Sequence, residues 1–234
     1  MTHKLTVVIN VASSERKTYL RYLFDSLSKQ KDKNFIVFII FPSDASLREI
    51  LRNLVSKYEK LYPIKLIEDC SCGGLARGRN LGLILSQSPF IAFIDDDAIP
   101  SKEWTKYIVE DLSEYDGVIG PVIPIFIEDK CKLFPREVLW VFSCTYIPSK
   151  YRQVFGYRGF GVNMAFKRDI LLKLRGFSMR LGADRCKKMR IGGEDTELFY
   201  RFKYLKFSLF FDPRLIVYHI VDHSRCSTKS IITR

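Results

Sequence analysis

The first hundred residues alternate between short apolar runs and longer segments in which apolar positions recur at helical spacing. Leu5–Val11 (LTVVINV) is short and rich in β-branched side chains, which predicts a buried strand. Glu15–Lys29 follows, with Tyr19, Leu20, Leu23, Phe24 and Leu27 on one helical stripe. Phe35–Phe41 (FIVFIIF) is apolar throughout, as expected of a parallel strand covered on both faces. Pro42-Ser43-Asp44 breaks that run and supplies a cap for a second amphipathic helix over Ser46–Tyr62, ended by Pro63. Ile64–Glu68 predicts a third strand, Gly73-Gly74 a turn into a helix reaching Ser86, and Phe90–Asp95 a fourth strand. The order β-α-β-α-β-α-β implies an α/β fold with a parallel, doubly wound sheet and helices on both faces. In such sheets ligands bind beyond the carboxyl ends of the strands.

The second half is less regular. Trp104–Leu112 predicts a helix and Gly117–Phe126 (GVIGPVIPIF) a strand whose prolines suit a sheet edge. Helices are expected over Phe166–Leu174 and Glu194–Lys206, and strands over Ser208–Asp212 and Leu215–His219. Residues 128–160 are aromatic and fit neither period. With 234 residues, no repeats and no linker, the chain reads as a single domain over 1–234.

Composition adds a large core and an unusual charge. Apolar residues make up 47% and aromatics 14%, enough to bury a core without metal or disulfide staples. The net charge is +12, spread along the chain with no basic tail. That suits a solvated basic surface, phosphate-bearing ligands or an anionic membrane surface. No DNA- or RNA-binding motif is present, so nucleic acid is not an expected partner. The six cysteines (70, 72, 131, 144, 186, 226) lack the paired CxxC spacing of a zinc site. No signal peptide and no run of ~18 apolar residues is visible. The default setting is therefore cytoplasmic, with reduced thiols, although disulfides would suit a hyperthermophile.

The chemistry is concentrated in three places. The apolar strand FIAFI runs straight into Asp95-Asp96-Asp97. On an extended chain Asp95 and Asp97 point to one side and Asp96 to the other. Converging carboxylates need a counter-charge, and Mg²⁺ or Mn²⁺ bridging them to a diphosphate supplies it. A solvated acidic turn capping the next helix is the bland alternative. Gly192-Gly193-Glu194-Asp195 opens a predicted helix, either as a cap or as a general base held at the helix start. Gly74-Leu-Ala-Arg77-Gly-Arg79-Asn80 combines a glycine turn, a helix start and arginines, the makings of a phosphate cradle.

In this order the stretches GLARGRNLG, FIAFIDDDAIPSKEW, GVNMAFKRDIL with RGF, GGEDTELFYRF and DPRLIVYH resemble the inverting family 2 glycosyltransferases of the GT-A fold. The likeness extends over nearly the whole chain, and the stretch LWVFSCTYIPSKYRQV to GFGVNMAFKR is most similar to archaeal members acting on lipid-linked acceptors. It implies a nucleotide-binding half over 1–100 and an acceptor-binding half over 101–234. Asp97 would be the direct metal ligand together with Asp95, and Asp95 or Asp96 would contact the ribose or the metal's water shell. Arg79 would contact the nucleotide, and Gly161 and Asn163 would line the sugar pocket. His219 would face the metal and diphosphate. Asp195 would be the base that deprotonates an acceptor hydroxyl, with Glu194 orienting the acceptor or its loop. The donor would be a nucleoside-diphosphate sugar, and the acceptor a sugar, glycan or polyprenyl-phosphate-linked molecule met at the cytoplasmic face of a membrane. The first two strands depart from the family pattern. The first ends in Asn10-Val11-Ala12-Ser13 in place of Pro-Thr-Tyr-Asn, and the second ends in Phe41-Pro42-Ser43-Asp44, without the usual base-reading aspartate, for which Asp44 is the nearest substitute. Two other readings fit parts of the pattern: a sugar nucleotidyltransferase, and an inactive relative retained as a basic, membrane-docking scaffold.

Overall fold

The computed structural model describes residues 3–71, 74–145, 159–184, 189–222 and 225–226. The first half follows the expected alternation: β1 (Leu5–Asn10), α1 (Lys17–Ser28) after a 3-10 turn at Ser14–Arg16, β2 (Phe35–Pro42), α2 (Ala45–Val55), β3 (Ile64–Asp69), α3 (Leu75–Leu85) and β4 (Phe90–Asp95). Helix α2 stops at Val55, seven residues before the expected end. The next residues form turns, with Lys57 N–H on Leu54 O and Tyr58 N–H on Val55 O. Tyr62 is buried there, its hydroxyl donating to Phe24 O at 3.2 Å. Its apolar spacing serves a packed turn rather than a continued helix.

The second half contains β5 (Ala98–Pro100), α4 (Trp104–Glu114), β6 (Gly117–Ile119), β7 (Val122–Phe126), β8 (Asn163–Lys167), α5 (Arg168–Lys173), β9 (Gly182–Asp184), β10 (Met189–Ile191), α6 (Glu194–Tyr204), β11 (Leu209–Phe211) and β12 (Val217–Val221). Two expectations are corrected. GVIGPVIPIF is not one strand: it breaks at Gly120-Pro121, and its two pieces join different sheets. The predicted helix over Phe166–Leu174 begins as the end of a strand. Met164, Ala165 and Phe166 are fully buried between β4 and β6, antiparallel to both, so tertiary pairing overrides the local period.

The main sheet has the order β11-β6-β8-β4-β1-β2-β3. Side chains alternate between its two faces, and both faces are covered. Leu5, Val7, Ile9, Phe35, Val37 and Ile39 pack on one side with α1, α2 and α4. Val8, Phe38, Ile40, Ile91 and Phe93 pack on the other with α3, α5 and α6. Each fully buried Leu, Ile or Phe contributes about 1.5–3 kcal/mol, which explains why these strands read as continuous apolar runs.

A smaller sheet, β5-β12-β7, sits beyond the end of β4. Ile220 N–H donates to Asp97 O, tying β12 directly to the acidic turn. The expectation of reduced thiols is overturned at one pair: Cys131, in a 3-10 turn after β7, is disulfide-bonded to Cys226. The two lie 95 positions apart, and no spacing rule announces the pairing. Cys70 and Cys144 are free, and Cys72 and Gly73 lie outside the described residues. No helix among the described residues is long and apolar enough to cross a membrane.

Candidate active site

Sheet register lines up the strand ends. Asn10 is paired with Asp95, and Pro42 with Asp69. Asp95 ends β4, and Asp96 and Asp97 form the turn into β5. The neighbouring strand β12 delivers His219, paired with Ala98. Ligand atoms of Asp95, Asp97 and His219 all lie within 4.8 Å of one another. His219 is fully buried and its Nδ1 is 2.9 Å from Phe142 O. A carbonyl only accepts, so Nδ1 carries the proton, and in the neutral ring the lone pair is on Nε2. That nitrogen is 3.1 Å from Asp97 Oδ1. Ligands about 2.1 Å from one octahedral cation and at right angles to each other lie about 3 Å apart, so the pair suits joint coordination. Two carboxylates and an imidazole are a donor set for Mn²⁺ or Mg²⁺.

Two arginines complete the charge balance. Arg16 Nη1 contacts Asp96 Oδ1 at 2.9 Å and Asp97 Oδ2 at 2.8 Å. Arg225 Nη2 contacts Asp97 Oδ2 at 2.8 Å. Burial and the neighbouring Asp97 push the Asp96 carboxyl up to about 6, against the pull of Arg16. Burial would raise Asp97 too, but His219, Arg225 and Arg16 outweigh it and hold that carboxyl well below the ordinary range. The middle aspartate pairs with Arg16, and the third is the one whose surroundings favour the ionised form.

The second acidic pair opens α6. Gly193 precedes it with φ of +101°, a backbone state that glycine adopts without strain. Asp195 Oδ2 accepts from Gly161 N–H at 2.9 Å, and Oδ1 accepts from Thr196 N–H at 2.7 Å. These bonds orient the carboxylate and leave it partly exposed. Glu194 turns inward. Its Oε1 is 3.0 Å from Arg79 Nη1, and Arg79 Nη2 is 3.5 Å from Asp95 Oδ1. Arg79 is almost fully buried, with its guanidinium over the Phe177 ring. A Cβ on Gly161 would lie 2.2 Å from Arg79 Nη2, so glycine is needed there to let the arginine through. Asn80 fixes the RGF stretch by bonding both Phe177 N–H and Phe177 O.

The structure thus brings together Asp95, Asp97 and His219, and joins them through Arg79 to Glu194 and the turn holding Asp195. It does not bring Asn163 to a pocket. Asn163 is fully buried, accepting from Trp104 Nε1 at 2.9 Å and donating to Leu215 O at 2.7 Å and Pro121 O at 3.2 Å. Its amide is committed to joining α4, β8 and the segment before β12. Gly161 acts through its N–H and its lack of a side chain. Asp44 is exposed at the end of β2, where it caps α2 by accepting from Leu47 N–H at 2.9 Å. Arg16 and Arg225 escaped the sequence reading. An isolated arginine carries no periodic signal, and the only hint for Arg225 is its place between His219 and Cys226.

The sequence profile described as Glycosyl transferase family 2 matches residues 7–175. The glucosyl-dolichyl phosphate glucuronosyltransferase of Haloferax volcanii is 27% identical over 112 residues, which is 47% of this chain and 36% of the relative. Among solved structures, the mannosyltransferase PcManGT from Pyrobaculum calidifontis, in complex with GDP-Man and Mn²⁺, superposes with a TM-score of 0.69 at 15% identity, over 94% of this chain and 57% of that one. S. aureus TarS 1-349 in complex with UDP-GlcNAc superposes with a TM-score of 0.63 at 19% identity, over 93% of this chain and 58% of that one. The chain is thus shorter than the relatives it matches, and it shares their GT-A fold. With a profile match running from the first strand to the end of α5, the chain belongs to glycosyl transferase family 2.

Proposed function

We propose that this chain is a metal-dependent, inverting glycosyltransferase domain that moves a sugar from a nucleoside-diphosphate sugar to an acceptor hydroxyl or lipid phosphate. The observation that carries this reading is the buried link from Asp95 through Arg79 to Glu194, which couples a cation-binding donor set to an oriented carboxylate at the start of α6. Asp95, Asp97 and His219 would hold a divalent cation, whose positive charge would stabilise a departing nucleoside diphosphate. Asp195, held by two backbone N–H groups, takes the proton from the attacking hydroxyl. In-line attack inverts the anomeric carbon. Arg79 and Glu194 hold the two centres at a fixed separation. An acceptor phosphate is already ionised and leans less on Asp195.

A shallow, open surface along α6 runs from Gly193 and Thr196 past Tyr200 to Tyr204, and both tyrosine rings are exposed. It supports an acceptor with sugar or isoprenoid faces. The Haloferax relative's dolichyl phosphate and the charge of +12 support a lipid-linked acceptor met at the cytoplasmic membrane face. The neighbours hold GDP-Man and UDP-GlcNAc, so both guanine and uracil donors belong in the test.

The test is a thermal-shift panel of GDP, UDP, CDP and dTDP with Mn²⁺, Mg²⁺ or EDTA, followed by transfer assays with the matching sugar nucleotides. A stabilising shift for one nucleotide that vanishes with EDTA is expected. Folded protein that responds to none of them would favour the inactive scaffold.

A further inference from the structure

Asp97 is overcommitted. Its Oδ2 meets Arg16 Nη1 and Arg225 Nη2, each at 2.8 Å, while Oδ1 faces His219 Nε2. For Asp97 to coordinate a cation, it must loosen at least one guanidinium. The two arginines differ in what they can do next. Arg16 is about a third exposed and sits on a single 3-10 turn, so it can turn toward water. Arg225 is only 9% exposed. The next residue, Cys226, is bonded to the fully buried Cys131, and Arg225 N–H is tied to Asp222 O. The backbone of Arg225 is thereby held in place, and only its guanidinium can turn, away from Asp97 and His219.

Arg225 also carries a surplus donor. Its Nε is buried and has no hydrogen-bond partner among the described residues. Such a donor is costly and marks a place where an acceptor belongs. It lies beside the cation-binding set, because Arg225 Nη1 is 3.3 Å from His219 Nε2. A diphosphate bound beside that donor set would bring several anionic oxygens to the spot. The planar guanidinium fork matches phosphate geometry.

We propose that Arg225 binds the diphosphate of the donor, and that the Cys131–Cys226 disulfide keeps it in place to do so. The proposal rests on the glycosyltransferase reading above. In it, Nε and the N–H released by Asp97 pass to the diphosphate oxygens, so Arg225 serves as counter-charge to Asp97 first and donor-binding residue afterwards.

The test is calorimetric titration of the full chain with Mn²⁺ alone, and with GDP, UDP, CDP and dTDP at saturating Mn²⁺. Arg225→Ala and Arg225→Lys are each expected to weaken the preferred diphosphate by at least about tenfold. Mn²⁺ alone is expected to bind Arg225→Ala as tightly as wild type or more so. The Cys131→Ser/Cys226→Ser double variant is expected to lose diphosphate affinity in the same direction. Circular dichroism establishes that each variant is folded, and Arg225→Lys keeps the charge if Arg225→Ala fails to fold. Wild-type diphosphate affinity in folded Arg225→Lys would overturn the proposal and leave Arg225 as a counter-charge alone. A loss of Mn²⁺ affinity equal to the loss of diphosphate affinity would also overturn it, since Arg225 would then act through the metal ligands. No metal-dependent binding by wild type would overturn the glycosyltransferase reading, and this inference with it.

Discussion

Arg79 and Glu194, separated by 115 positions, form a buried ion pair with Nη1 3.0 Å from Oε1. Neither group has water to fall back on: the side chains are 3% and 8% exposed. Removing one partner of such a pair strands the other charge, at a cost of about 3–5 kcal/mol. Glu194→Ala is therefore expected to lower the unfolding midpoint in denaturant markedly, and Glu194→Gln less. An unchanged midpoint for Glu194→Ala would show that Asp95 alone satisfies Arg79.

Asp195 is expected to behave differently. Its carboxylate is oriented by backbone N–H groups and lies outside the cation-binding set. Asp195→Asn should lower transfer to a hydroxyl acceptor by about 10²–10⁴-fold while leaving nucleoside diphosphate affinity and stability near wild type. A loss of donor affinity of the same size would remove Asp195 from the role of base.

Asn163 is expected to be a stability residue. Asn163→Ala leaves Trp104 Nε1 and Leu215 O without their partner, while Pro121 O keeps Val217 N–H. Each buried group so orphaned costs about 1–3 kcal/mol. Denaturant unfolding should register the loss, and the affinity of surviving folded protein for the donor nucleotide should not change. Weaker donor binding at undiminished stability would restore Asn163 to the sugar pocket.

Away from the site, Asp111 is buried, and its Oδ2 has no hydrogen-bond partner among the described residues. Burial, with Asp212 alongside, pushes its carboxyl up to about 7. The folded chain then holds a proton that the unfolded chain gives up near pH 4, so this group's stabilising effect fades as pH rises through about 7. Melting temperature measured across that range should fall more steeply for wild type than for Asp111→Asn. Parallel curves would mean that Asp111 is ionised in the folded protein.

The legible parts of the molecule were those that repeat a pattern. Strands buried on both faces read as apolar runs, and three aspartates after such a run are more than a helix cap needs. The Glu194-Asp195 pair is visible behind its glycines, although not its geometry, one acid turned inward to Arg79 and the other held by the Gly161 and Thr196 N–H groups. What stayed hidden depends on distant partners. Asn163 looks like a polar residue near a pocket until Trp104 arrives from 59 positions away. Arg16, Arg225 and the Cys131–Cys226 bond are tertiary facts with no local period. Strand β8 is short enough that its apolar residues fit a helix equally well until β4 and β6 flank it.

That strand has one more consequence. β8 runs antiparallel along β4, with Asn163 opposite Ile94 and Lys167 opposite Phe90. A fragment ending at residue 100 would keep the acidic turn but leave the peptide groups of Ile91–Ile94 bare along one side. An open, flat, apolar margin of that kind recruits other chains. Residues 1–100, expressed alone, should therefore self-associate rather than remain a monomeric module.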